Sequence, residues 1–173
     1  VRRAVETFEM IESVDSVELG ARLDRIVREA RGLEPEGPVP EHLRLPVLLQ
    51  VNVDDDPAKA GFQPDELAPA VASLARLGAL RLDGLMTVGR LVDDPEAARP
   101  TFRRLRELSA ELGAGPPGEP EAHAPRAHEP SVGPELSMGM TDDYPIAVEE
   151  GATIVRVGRA LFGVRPAPGA DAR

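Results

Sequence analysis

Cysteine and tryptophan are absent from these 173 residues, and aromatic side chains make up only 3%. Without cysteine there is no disulfide framework, no thiolate nucleophile and no cysteine-ligated metal, a usage that suits a cytoplasmic protein. With so few aromatics the core must be built from Leu, Val, Ala and Ile, and a hydrophobic content of 42% is enough for one domain. Lysine is almost missing as well, since Lys59 is the only one. Any chemistry in which a side-chain amine condenses with a carbonyl would fall on Lys59 or on the amino terminus. No apolar run approaches the ~20 residues needed to cross a bilayer, and no signal-peptide pattern opens the chain. The net charge of −10 argues against non-specific binding to nucleic acid or to an anionic membrane, both of which need a basic surface. Any anion site must therefore be local.

What the chain does contain is a repeated alternation of strand and helix patterns. It opens abnormally, on Val1 rather than methionine, and a strand is expected at once over Thr7–Val14 with nothing before it to pair with. Strict alternation would put Met10, Glu12 and Val14 on one face and Ile11 and Ser13 on the other. Asp15 and Glu18 have the spacing of a capping box, and Leu19, Leu23, Ile26, Val27 and Ala30 form the stripe of a helix that Gly32 ends.

After a Pro/Gly-rich connection, PVLLQVNV is the clearest strand, with Val47, Leu49, Val51 and Val53 on one face and Leu48, Gln50 and Asn52 on the other. The two amides either belong to a core hydrogen-bond network or touch a ligand. The acidic run Asp54, Asp55, Asp56 lacks the spacing and terminal glutamate of a calcium loop and reads as turn and capping residues. Pro64 starts a second helix striped by Leu67, Val71, Leu74 and Leu77. LRLDGLMTVG is the next strand, in which Gly84 allows close backbone approach and Met86 is either core filler or the wall of a ligand site. A helix from about Pro95 follows, with Ala98, Phe102, Leu105, Leu108 and Leu112 on one side.

The pattern stops over 113–134, a Pro/Gly-rich stretch expected to be a flexible surface insertion. It holds His123 and His128, whose spacing without a third ligand does not define a metal site. The tail 166–173 is expected to be disordered.

Between these two segments, ELSMGMTDDYPIAVEEGATIVRVGRALFG (135–163) reads as strand, turn, short helix, strand, turn and helix start, with Gly139 and Gly158 at the strand exits. Paired exits of this kind can aim backbone N–H groups at one phosphate. In (β/α)8 barrels the phosphate is commonly gripped by the last two strand-to-helix loops. If Val155 and Val157 face the helices, Arg156 points inward at a ligand; otherwise it reaches out to solvent.

Five strands, each followed by a helix or helical turn, predict a parallel α/β sheet. No glycine-rich dinucleotide fingerprint supports a doubly wound fold. The expected fold is an incomplete (β/α)8 barrel over residues 1–165, with the last five β-α units present and the first three strands missing. Such a chain would carry two exposed edges and an open core.

In order and separation, IESVDS, PVLLQVNVDDDPAKAGF, LRLDGLMTVG and LSMGMTDDYPIAVEEGATIVRVGRALFG resemble the pyridoxal-phosphate homeostasis protein family, which is related to the N-terminal barrel of alanine racemase. The resemblance covers nearly all of the chain outside 113–134 and the tail. It implies a single barrel that binds pyridoxal 5′-phosphate and buffers or delivers it, with PLP-dependent apo-enzymes as recipients and no turnover of its own. Ser137, Met138, Gly139, Met140 and Thr141 match the phosphate-side loop, Val157 and Gly158 match the second loop, and Arg156 matches an arginine near the ring nitrogen. Met86 and Asn52 complete the expected cofactor-binding set. Departures are equally specific. The family's Schiff-base lysine lies on the first barrel strand, which has no counterpart here; Lys59 matches a different lysine, and Glu12 stands where histidine is frequent. Two other readings stay open: a racemase-like PLP enzyme, which would need a lysine and an opposing acid-base group such as Tyr144, and a degenerate barrel fragment that keeps only a phosphate site.

Overall fold

The computed structural model describes residues 1–113 and 131–163. Most of the expected 113–134 insertion, both of its histidines and the 166–173 tail lie outside the described residues. Five parallel strands, β1 (Ile11–Val14), β2 (Leu45–Gln50), β3 (Leu80–Met86), β4 (Glu135–Met140) and β5 (Ile154–Arg156), form one sheet in sequence order. Between and around them run α1 (Arg2–Thr7), α2 (Val17–Ala30), α3 (Leu67–Leu74), α4 (Arg99–Glu111), α5 (Tyr144–Glu149) and α6 (Arg159–Phe162).

Sequential order decides between the parallel architectures. Parallel crossovers are right-handed, so a sheet that always advances in the same direction places its helices on the same face, whereas a doubly wound sheet reverses partway. The result is a half-barrel. Its outer face is apolar: Val47, Leu49, Val51, Leu85, Leu136 and Met138 share one core with Leu23 and Val27 of α2, Leu67 and Val71 of α3, and Phe102 and Leu105 of α4. Leu48 and Met86 are also buried but stand outside that core, on the inner face. Among the described residues β1 and β5 are open edges, and no helix is long and apolar enough to cross a membrane.

The N-terminal expectations need correction. An element does precede the first strand: residues 2–7, including the expected strand start Thr7, form helix α1, which lies against α2, where Arg2 pairs with Glu29. The strand begins at Ile11. The α2 cap is Ser16 rather than Asp15: Ser16 Oγ accepts the Leu19 N–H at 3.2 Å and donates its own proton to Asp15 at 3.2 Å. α3 stops at Leu74, and its entrance carries a capping box that the sequence pattern did not signal, with Glu66 accepting the Gln63 N–H at 2.9 Å.

β1 departs from strict alternation in a way that matters later. Ile11 pairs with Val47 and Val14 with Leu49, so three residues of β1 span two of β2. Both Ile11 and Val14 therefore face the helices, and Glu12 is turned to the inner face.

Helices α4 and α5 are clamped by charge. Glu150, with only 6% of its side chain exposed, receives Arg99 at 3.1 Å, Arg103 at 3.3 Å and Arg106 at 2.8 Å. Burial alone would raise this carboxyl, but hydrogen bonds from Arg99 and Arg103 and the charges of Arg106 and Arg103 outweigh it and hold it below the usual glutamate value. A depressed folded pKa adds stability above the unfolded value near 4.5 and loses it as pH falls through the folded value. Glu150→Ala is expected to cost about 2 kcal/mol at pH 7. Urea midpoints measured from neutral pH downward should show wild type losing stability more steeply below the glutamate range than Glu150→Gln does.

Candidate functional site

Strand register assembles the inner face at the carboxyl ends of the strands. Gln50 pairs with Met86, Met86 with Ser137, and Ser137 with Ile154, so four strands each contribute to one row. Alternation along β5 then puts Arg156 on the same side as Ile154, further toward the carboxyl end. This is the end at which parallel α/β sheets bind ligands.

Arg156 is the charged centre of that end. One terminal nitrogen donates to Ser137 Oγ at 2.6 Å and the other to the Thr87 carbonyl at 2.7 Å. Ser137, fully buried, donates its hydroxyl to Glu12 at 2.6 Å. Thr87 is locked by its own bonds, Oγ1 to the Val51 carbonyl at 2.8 Å and N–H to the Ser137 carbonyl at 3.1 Å. Burial pulls the Arg156 guanidinium below its ordinary pKa, opposed by the charges of Glu12 and Asp143. An arginine so placed remains charged.

The two loops beyond the strands meet above it. Gly139 has φ +89°, and a Cβ there would lie 2.5 Å from the Ala147 side chain and 3.0 Å from Tyr144 Cα. This glycine lets β4 turn tightly onto α5, and the carboxylate of Asp143 accepts the Met140 N–H at 2.6 Å to hold the turn. Gly158 is different: φ is −118°, and a Cβ added there would meet nothing within 4 Å. Its N–H and that of Ala160 both point at Thr141 Oγ1, at 3.4 Å each, so a threonine from the first loop sits beside the donors of the second.

A third loop flanks the rim. Asn52 is buried, and its amide closes the turn after β2 by accepting from the Asp56 N–H at 3.0 Å and donating to the Asp56 carbonyl at 2.9 Å. Its amide thus takes part in the hydrogen-bond network of this turn. Lys59 Nζ donates to the carbonyls of Val88 and Gly89 at 3.0 and 2.8 Å, tying this loop to the one after β3. Asp54 does more than turn the chain: its carboxylate accepts the Thr101 hydroxyl at 2.6 Å and the Arg90 N–H at 3.2 Å.

Of the expected site residues, Met86, Ser137 and Arg156 are brought together on the inner face, with Gly139, Thr141 and Gly158 at the loops beside them. Met138 points the other way, its side chain fully buried in the helix-side core, so only its backbone is available to the rim. Met140 lines a small cleft with Arg90, Leu91 and Val92. Val157 follows β5 and is half-buried. Periodicity missed Glu12, because the β1 irregularity that turns it inward leaves no mark on the residue pattern, and missed Thr87, which acts through its backbone oxygen. A cavity of about 620 Å³ opens at the opposite end of the sheet, but Arg81 there is already paired with Asp83 at 2.6 Å.

The model of the alanine racemase N-terminal domain matches residues 1–166. The chain belongs to that family. Within the alanine racemase N-terminal domain family it is similar to proteins named pyridoxal phosphate homeostasis protein: 40% identical over 119 residues to that of Aquifex aeolicus, covering 69% of this chain and 46% of the relative. Identity is 35% over 164 residues to that of Pseudomonas aeruginosa, covering 95% and 59%. PipY of Synechococcus elongatus, solved without PLP, superposes with a TM-score of 0.71 at 38% identity, over 94% of this chain and 65% of PipY. The PLP-bound PipY structure gives 0.70 at 36% identity, over 94% and 64%. The chain thus spans roughly half to two thirds of the length of these relatives.

The two glycines separate in a stability measurement. Gly139→Ala must place a side chain at positive φ against α5 and is expected to lose about 2–4 kcal/mol. Gly158→Ala should melt within a degree or two of wild type, since none of the described residues occupies the space a methyl would take. Equal melting temperatures for the two variants would contradict this account of the rim.

Proposed function

We propose that this chain binds pyridoxal 5′-phosphate at the carboxyl rim of the half-barrel and serves intracellular PLP homeostasis as a non-catalytic carrier in the cytoplasm, with PLP-dependent apo-enzymes as recipients. The observation that carries this reading is the open space at Gly158 beside Thr141 and the inward guanidinium of Arg156: a cradle that no atom of the described residues fills, next to a half-buried cation. The relatives' names and the PLP-bound PipY neighbour supply the ligand.

In this reading the Ser137–Thr141 stretch and Val157–Gly158 form the phosphate side, Met138 and Met140 with their backbone and Ser137 at its inner end with its hydroxyl held by Glu12 and Arg156, and Met86 lines the ring side. Asn52 contributes by shaping the loop that carries Lys59. The domain runs over 1–165, and its five strands are the last five of an eight-stranded barrel whose first three are absent; the open β1 and β5 edges and the rim built on the last two strand exits support this.

Pyridoxal phosphate supplies an aldehyde that condenses with amines and a pyridine ring that withdraws electrons. The residues of this chain fit the holding of that group better than its use. Arg156 has no proton to give at neutral pH, and its charge disfavours a proton on a neighbouring ring nitrogen, which weakens electron withdrawal. Lys59 Nζ is engaged by two carbonyls and by Asp56 at 3.6 Å, and this supports a loop-holding amine rather than a condensing one. Tyr144 lies on α5, at the surface, without a lysine opposite it.

A PLP titration of the 173-residue chain, followed by absorbance and fluorescence and then by borohydride reduction and intact mass, tests the proposal. Binding without a stoichiometric covalent adduct is expected. Arg156→Ala should weaken it by about tenfold or more, the loss of charge-assisted hydrogen bonds. Gly158→Ala should weaken it while leaving stability unchanged, and Lys59→Ala should leave it unchanged. Loss of binding in a folded Lys59→Ala variant, or an adduct mapped to Lys59, would overturn the assignment.

A further inference from the structure

Glu12 has no part in the phosphate reading, yet it is hydrogen-bonded into the innermost part of the site. A serine hydroxyl has one proton and two lone pairs. Here the proton goes to Glu12 Oε2 at 2.6 Å, which leaves only lone pairs to face Arg156, and one of them accepts an Arg156 N–H at 2.6 Å. Remove the acceptor at position 12 and the Ser137 proton is free to rotate toward the guanidinium, where it competes with the N–H it now receives. With the Thr87 carbonyl taking the second terminal nitrogen at 2.7 Å, the guanidinium is fixed from two directions and uses two of its five donors. Glu12 of β1, acting through Ser137 of β4, and Thr87, the residue after β3, converge on an arginine of β5.

We propose that Glu12 is a positioning residue for Arg156, acting through the Ser137 hydroxyl, so that the remaining guanidinium donors are held toward the ligand's aromatic nitrogen. The ligand in this statement rests on the pyridoxal-phosphate reading; the relay itself is a property of the chain. Glu12 does not touch the ligand. A role in charge compensation alone would make a different prediction, because Gln keeps an acceptor oxygen for Ser137 and loses only the charge, whereas Ala loses both.

The test uses the full 173-residue chain labelled with ¹⁵N, first without PLP. The Arg156 guanidinium resonance, assigned by its loss in Arg156→Lys, is expected to show hindered rotation in wild type and Glu12→Gln and free rotation in Glu12→Ala and Ser137→Ala. Amide spectra report whether each variant is folded; should Glu12→Ala fail to fold, Ser137→Ala carries the same comparison. In PLP titrations Glu12→Ala and Ser137→Ala should each lose about tenfold in affinity. The double variant should be no worse than either single one, as for groups acting in series. A guanidinium that stays hindered in Glu12→Ala, one that is freed in Glu12→Gln, or additive affinity losses would each overturn the relay. If wild type does not bind PLP at all, the ligand assignment fails, and the guanidinium resonance still decides whether Glu12 positions Arg156.

Discussion

Everything in this half-barrel follows from laying parallel strands side by side in the order in which they occur in the chain. Each right-handed crossover returns the chain on the same side, so the helices cover one face of the sheet and the other face stays clear of them. The outer face can then be aliphatic throughout, and Val47, Leu49, Leu85, Leu136 and Met138 make it so without any aromatic residue from the sheet. The inner face is where polar side chains can be held in a defined row. A half-buried arginine is costly there unless it is paired, and Arg156 donates to Ser137 and Thr87, with the charges of Glu12 and Asp143 favouring its own.

The rim depends on two glycines that do different things. Gly139 is required by the chain itself, since its positive φ and the 2.5 Å approach of Ala147 leave no room for a side chain. Gly158 is not required by any contact among the described residues. Its φ is ordinary and the described residues leave space beside it, which is why the proposed ligand site gives Gly158 more weight than its more constrained counterpart. The rim is braced by charge from outside: the Glu150 cluster fixes α5, which follows the Gly139 turn, against α4, and Lys59 joins the neighbouring loops after β2 and β3.

Much of this was legible in the residue pattern. Strands β2 to β5 and the apolar stripes of α2 and α4 show clear periodicity, and Arg156 took the inward one of its two possible directions. The first fourteen residues were not legible in the same way. RRAVET is too short for a helical period to stand out, and its helix exists because α2 offers it a surface. In β1, alternation predicted that Glu12 and Val14 share a face, but a one-residue irregularity against β2 separates them. A bulge of this kind arises from the fit between two strands, and neither strand's own sequence encodes it.

The sequence by itself determined the kinds of element, the faces of most of them and the family, because aliphatic periodicity and the glycine-bearing loop motifs are local and survive without a partner. It also determined that a single lysine is available for amine chemistry. The tertiary structure decided how side chains far apart in the chain combine. Only register across the sheet brings Glu12 to Ser137, 125 residues later, and Arg156 to Thr87, 69 residues earlier. Only packing tells the constrained Gly139 from the open Gly158, and only the fold occupies Lys59 with backbone carbonyls. These are properties of pairs, set by where two segments meet, and no reading of either segment alone contains them.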